Sequence, residues 1–176
     1  THTHSRNWEN ETDLFTYLSE VGGSSHAAAL LGNTYWNAGE IEKSEESFRL
    51  ALRRDQTEVA AWFGLGRLEA SKKNLDLAER YLKNSLQKPG PTNSYSYNNL
   101  GNIYYLRQEY SKAYELYHKS LISNPYNYIA MYNAGQTALK LQQAQDAAHF
   151  LRKFIDNATS EYNHQKNRAR LQLNKL

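Results

Sequence analysis

Cysteine is absent from the 176 residues, which excludes disulfides, thiolate metal sites and a thiol nucleophile and leaves the redox compartment open. Long apolar runs are missing as well. No stretch reaches the roughly eighteen residues that cross a bilayer, although 40% of residues are hydrophobic and 22% charged, as in ordinary globular domains. A large excess of one charge is missing too: the net charge is +3 and the basic residues are scattered except near the C-terminus. No phosphate-reading surface is expected, and nucleic acid is not an expected partner. Thr1 is followed by neither a basic nor an apolar leader region, and the chain reads as an excised piece.

Motifs for chemistry are also lacking. His2 and His4 lie in an N-terminal tail, while His26, His118, His149 and His164 are far apart and none has HExxH spacing, so neither a metal nor a cofactor is expected. No GxSxG, Walker or GxGxxG pattern occurs. Paired acids such as Glu45 and Glu46 read as solvated helix surface. The chain is expected to carry no catalytic residue. Two short glycosylation sequons, Asn10-Glu11-Thr12 and Asn157-Ala158-Thr159, are too common to weigh.

What is present is tyrosine, fourteen against five phenylalanines, a residue suited to surfaces where one end of the ring is packed and the other wet. There is also a period. Leu31-Gly32, Leu65-Gly66, Leu100-Gly101 and Ala134-Gly135 place glycines 34, 35 and 34 residues apart. Twelve residues after each glycine stand Ser44, Ala78, Ala113 and Ala147, and sixteen after stand Phe48, Leu82, Tyr117 and Leu151. A glycine and a small residue across a turn let two antiparallel helices approach closely, and the large residue fills the space beside them. Apolar spacing within the units is helical, as in Leu75, Ala78, Tyr81, Leu82 and Leu86. Turn signals fall at Ala38-Gly39, Lys73-Asn74 and Asn124-Pro125, and the extra residue of the longer unit falls at Pro89-Gly90-Pro91.

This pattern resembles the tetratricopeptide repeat family over residues 25 to 161. It departs from the family in having the closing proline only at Pro125 and Ala134 where leucine is usual. The resemblance implies an all-α fold, a right-handed α-solenoid of antiparallel helix pairs. Its units are 25–58, 59–93, 94–127 and 128–161. Residues 1–24 are read as a tail and a capping half-repeat over 11–21, packing through Leu14, Tyr17 and Leu18 and ended by Gly22-Gly23. Residues 162–176 are read as a polar capping helix, with Ser160 as its N-cap.

In that family the first helix of each unit lines the concave face. Carried over position by position, this face holds His26, Asn33, Trp36 and Asn37 in the first unit and Phe63 and Arg67 in the second. The third unit supplies Tyr95, Asn98, Asn99, Asn102 and Tyr105, and the fourth Tyr132, Asn133, Gln136 and Lys140. Amides donate and accept at once and aromatic rings supply area at small entropic cost, so the expected partner is a protein or an extended peptide. Asn99 and Asn133 share a repeat position, resembling the asparagine ladder of some members. The cationic pairs of the chaperone-tail clamp are missing; its positions hold Ala29, Asn33, Gly64, Tyr95 and Asn99.

Ahead of the repeats, Arg6, Trp8, Glu9, Glu11, Leu14 and Phe15 resemble the junction between the last membrane helix and the repeats of multi-spanning, O-mannosyltransferase-like membrane glycosyltransferases. That resemblance implies a soluble repeat domain on the extracytoplasmic or periplasmic face of a membrane, with Trp8 near the interface and a membrane domain upstream in the same polypeptide. The other reading is a free-standing cytoplasmic adaptor of a multiprotein assembly, such as a secretion or pilus complex, with Trp8 as part of the cap.

Overall fold

The computed structural model describes residues 11–176, and the chain divides into two compact units between Lys88 and Pro89. Unit 1 holds α1 (Glu11–Glu20), α2 (Ser25–Asn37), α3 (Ile41–Arg54), α4 (Val59–Ser71) and α5 (Leu75–Asn84). Unit 2 holds α6 (Asn93–Leu106), α7 (Tyr110–Ser123), α8 (Tyr128–Lys140) and α9 (Ala144–Asn157), then a 3-10 turn (Ser160–Tyr162) and α10 (Asn163–Leu173). No strand occurs among the described residues. The fold is all-α and built of stacked helix pairs of the α-solenoid class: α2 with α3, α4 with α5, α6 with α7 and α8 with α9.

The glycine period acts through contact. A β-carbon added at Gly32 would lie 2.7 Å from the Phe48 ring, at Gly66 2.6 Å from Leu82, at Gly101 2.5 Å from Tyr117 and at Gly135 2.7 Å from Leu151. All four large residues are buried, as are Ser44, Ala78, Ala113 and Ala147. Each such side chain contributes about 1.5–3 kcal/mol by leaving water. Ser44 at the small position also donates to the Gly32 carbonyl, 2.8 Å away, closing a polar group inside the crossing.

The turn inside each pair repeats as faithfully. Gly39, Lys73, Gln108 and Gln142 all have positive φ, from 58° to 79°. The next residue's N–H then reaches back five residues: Glu40 to Tyr35, Asn74 to Glu69, Glu109 to Tyr104 and Gln143 to Ala138, each at 2.9 Å. This is the Schellman closure, which satisfies carbonyls left open at a helix end. Only the first of the four turns has glycine there.

The ends differ from expectation in two places. Ser19, not Leu18, is the buried residue of α1; Leu18 is 38% exposed. Among the described residues α1 packs chiefly against α2, and Ser19 rather than Leu18 is the residue it buries. Ser160 does not cap the last helix, which begins three residues later, because residues 160–162 tighten into a 3-10 turn with the Thr159 hydroxyl on the Glu161 carboxylate at 2.9 Å. Arg6, Trp8 and Glu9 lie outside the described residues. No described helix is long and apolar enough to cross a membrane.

Candidate functional site

In unit 2 the first helices α6 and α8 lie side by side, which brings their outward rows together. Asn133 donates both amide hydrogens, to Asn98 Oδ1 and to Asn102 Oδ1, at 3.0 Å each. Asn102 Oδ1 also accepts from the Tyr117 hydroxyl at 2.8 Å. Burial holds that hydroxyl well above the ordinary tyrosine range, so it remains a donor. The amides Asn98, Asn102 and Asn133 thus form an internal network, and the groups it leaves unused are the amide nitrogens of Asn98 and Asn102 and the carbonyl of Asn133.

Around this network lies a cleft of about 260 Å³. Asn102, Tyr105, Tyr132, Asn133 and Gln136 line it together with two residues the repeat frame did not mark, Tyr117 and Arg168. Tyr117 belongs to a second helix, and its hydroxyl is the group that meets Asn102. Arg168 arrives from the capping helix α10, which is held over the face by Gln136 and Gln172 exchanging amide hydrogen bonds. Among the described residues Arg168 has no carboxylate partner. The Tyr132 ring leans on Phe154 at 5.1 Å, and burial raises its hydroxyl's pKa. Of the remaining expected residues, Tyr95 is exposed, Asn99 half-buried and Lys140 exposed, and none lines the cleft.

In unit 1 the corresponding face is built differently. The Arg67 guanidinium sits 4.8 Å from the centre of the Trp36 ring and 5.4 Å from that of Phe63. Burial between the rings lowers its pKa, but arginine keeps its charge. Arg67 has no carboxylate partner among the described residues, so the stack presents a cation framed by two aromatic rings. Asn33 is half-buried, Asn37 is exposed, and exposed His26 stands 3.5 Å from Glu58. Among the described residues no three metal-ligating side chains converge.

The helix pairs, the glycine crossings and the shared turn define a repeat protein. Sequence models described as tetratricopeptide repeat match residues 29–94 and 94–127, together more than half of the chain, and the chain belongs to that family. A comparison with curated protein sequences found no match. Among solved structures, PilF of Pseudomonas aeruginosa is similar in fold, with a TM-score of 0.76 and 19% identity over 94% of this chain and 82% of that one. MamA is similar with a TM-score of 0.68 and 20% identity, covering 84% and 85%. YrrB, described as a TPR protein with an unusual peptide-binding site, has a TM-score of 0.69 and 17% identity, covering 92% and 89%.

Proposed function

We propose that this chain is a non-catalytic protein-interaction module that holds an extended peptide, or a segment of a folded partner, on the faces of its first helices. The observation that carries this reading is the unit 2 cleft, where five residues expected from the repeat frame meet beside Arg168, which has no carboxylate partner among the described residues. An amide donor and an amide acceptor side by side suit a peptide backbone, and the tyrosines supply contact area. The Trp36–Arg67–Phe63 stack adds a second aromatic and cationic surface in unit 1. The peptide-binding description of YrrB, a fold neighbour, agrees with this choice of ligand.

The test is retention of a protein partner from the native extract by the tagged chain. Arg168→Glu, at an exposed position, should weaken retention by about 1–3 kcal/mol with unchanged melting, and Tyr105→Ala should weaken it further. Retention unaffected by either would remove the cleft from the binding surface.

The resemblance of residues 6 to 15 to a membrane-enzyme junction supports a reading in which this module is the domain outside a membrane-embedded glycosyltransferase. Its α1, carrying Leu14 and Phe15, packs on α2, the first helix of the first pair. An immunoblot of separated membrane and soluble fractions decides between that and a free adaptor. A membrane band far above 20.3 kDa supports the first, and a soluble band near that mass the second.

A further inference from the structure

Unit 2 repeats unit 1 at a displacement of 69 residues: Gly32 answers to Gly101, Phe48 to Tyr117, Gly66 to Gly135 and Leu82 to Leu151. Each unit is therefore a control for the other. The seam between α7, α8 and α9 is shut. His118 stands edge-on to Phe150 with ring centres 5.0 Å apart, Tyr114 lies 4.6 Å from His118, and Met131 is fully buried. The same three seam positions in unit 1 hold Arg49, Trp62 and Tyr81.

There the seam is open. Arg49 lines it and pairs with Glu45, with Nε at 2.9 Å and Nη2 at 2.7 Å from one carboxylate oxygen, while its guanidinium also neighbours the Tyr81 hydroxyl. Trp62 stands 5.5 Å from Tyr81, and its indole N–H donates to the Gln56 carbonyl at 2.7 Å, which fixes the ring. Between α3, α4 and α5 a cleft of about 480 Å³ remains, with Leu52 and Leu65 as apolar wall. That volume lies within the usual range for ligand pockets. The repeat architecture does not require this opening, since unit 2 closes it with the same helices.

The charge at the opening is unbalanced. The Glu45 carboxylate answers Arg49 with one oxygen and Lys72 with the other. Arg53, exposed at the rim, has no carboxylate partner among the described residues. A tryptophan, a tyrosine and two arginines around an apolar wall form the composition of a protein-binding hot spot rather than of a solvated surface.

We infer that this cleft is a second binding site, independent of the first-helix faces, for a peptide segment in which a bulky apolar side chain neighbours a carboxylate. The apolar side chain enters between Trp62, Leu65 and Tyr81, and the carboxylate meets Arg53.

The test is a titration of the full, ¹⁵N-labelled chain with acetyl-Phe-Asp-amide and acetyl-Leu-Glu-amide, followed at the Trp62 indole N–H. Acetyl-Phe-Lys-amide and acetate serve as comparators. The expected result is a saturable shift with the acidic dipeptides and affinity about ten-fold lower for the lysine peptide, one charge contact's worth. The triple substitution Arg49→His, Trp62→Met and Tyr81→Phe, which copies the closed seam of unit 2, should leave the protein folded. Its cleft resonances should no longer respond. Arg53→Glu alone, at an exposed position, should remove the preference for acid and decides the matter if the triple variant does not fold. No saturable shift, equal binding of the lysine peptide, or acetate reproducing the whole response would each overturn the proposal. None of these outcomes bears on the unit 2 cleft, which Arg168 and Tyr105 test separately.

Discussion

Asn133 spends both of its amide hydrogens on Asn98 and Asn102, so this residue holds α8 to α6 from the outward side of unit 2. Asn133→Ala should therefore lower stability by about 1–3 kcal/mol. Asn99→Ala, at the same position one repeat earlier and half-buried, should change it by less than about 0.5 kcal/mol. Urea unfolding midpoints measure both. Equal losses would show that the amide network does not hold the helices together.

Overpacking at the crossings is predicted to be costly. Gly66 faces Leu82 side-chain and backbone atoms, so Gly66→Leu should cost at least about 1–3 kcal/mol or prevent folding. Gly90→Ala, whose new atom would meet only Asn93 Oδ1 at 3.8 Å, is the control and should be neutral. A Gly66→Leu protein that melts like the parent in a circular-dichroism scan would show that the helices are not held at this close approach.

The left-handed turn residues give a gain. Gln108 has φ 61°, a conformation that disfavours side chains by roughly 1 kcal/mol relative to glycine. Gln108→Gly should raise the unfolding free energy by up to that amount. A decrease would mean that the glutamine side chain contributes more than its backbone costs.

Acid should weaken unit 1 through Glu45. Its carboxyl is held below its usual value first by the hydrogen bond from Lys72 and then by that from Arg49. A carboxylate depressed on folding adds stability that is present above about pH 4.5 and is lost as the pH falls through the folded value. The deficit of Glu45→Gln relative to the parent should thus shrink from pH 7 to pH 3. Both partners are more than a third exposed, so the whole effect stays under about 1 kcal/mol. Thermal melts at low salt read it, and a deficit of equal size at both ends would assign it to packing.

The fold was legible because the constraint is geometric. A glycine can face Phe48 or Tyr117 only at a fixed point of each helix pair, so a crossing leaves a 34-residue mark in the sequence. The site was legible only along the first helices, where the repeat frame applies. Arg168 escaped it because a capping helix follows no repeat position. Tyr117 escaped because its place among Phe48, Leu82 and Leu151 reads as core. A hydroxyl on such a residue needs a partner, and that signal would have pointed to Asn102. The open seam of unit 1 was hidden for another reason: Arg49 and Trp62 look like ordinary surface until His118 and Met131 show what closes the same place.

The chain has three tryptophans, and Trp36 lies under the guanidinium of Arg67. A charge held at that distance sets the ring's excited-state environment, so Trp36 emission depends on where Arg67 points. Any partner that draws the arginine toward its own acid uncovers the indole. A ligand on the unit 1 face would then be readable in the intrinsic fluorescence of a Trp62→Phe chain, in real time and without a label.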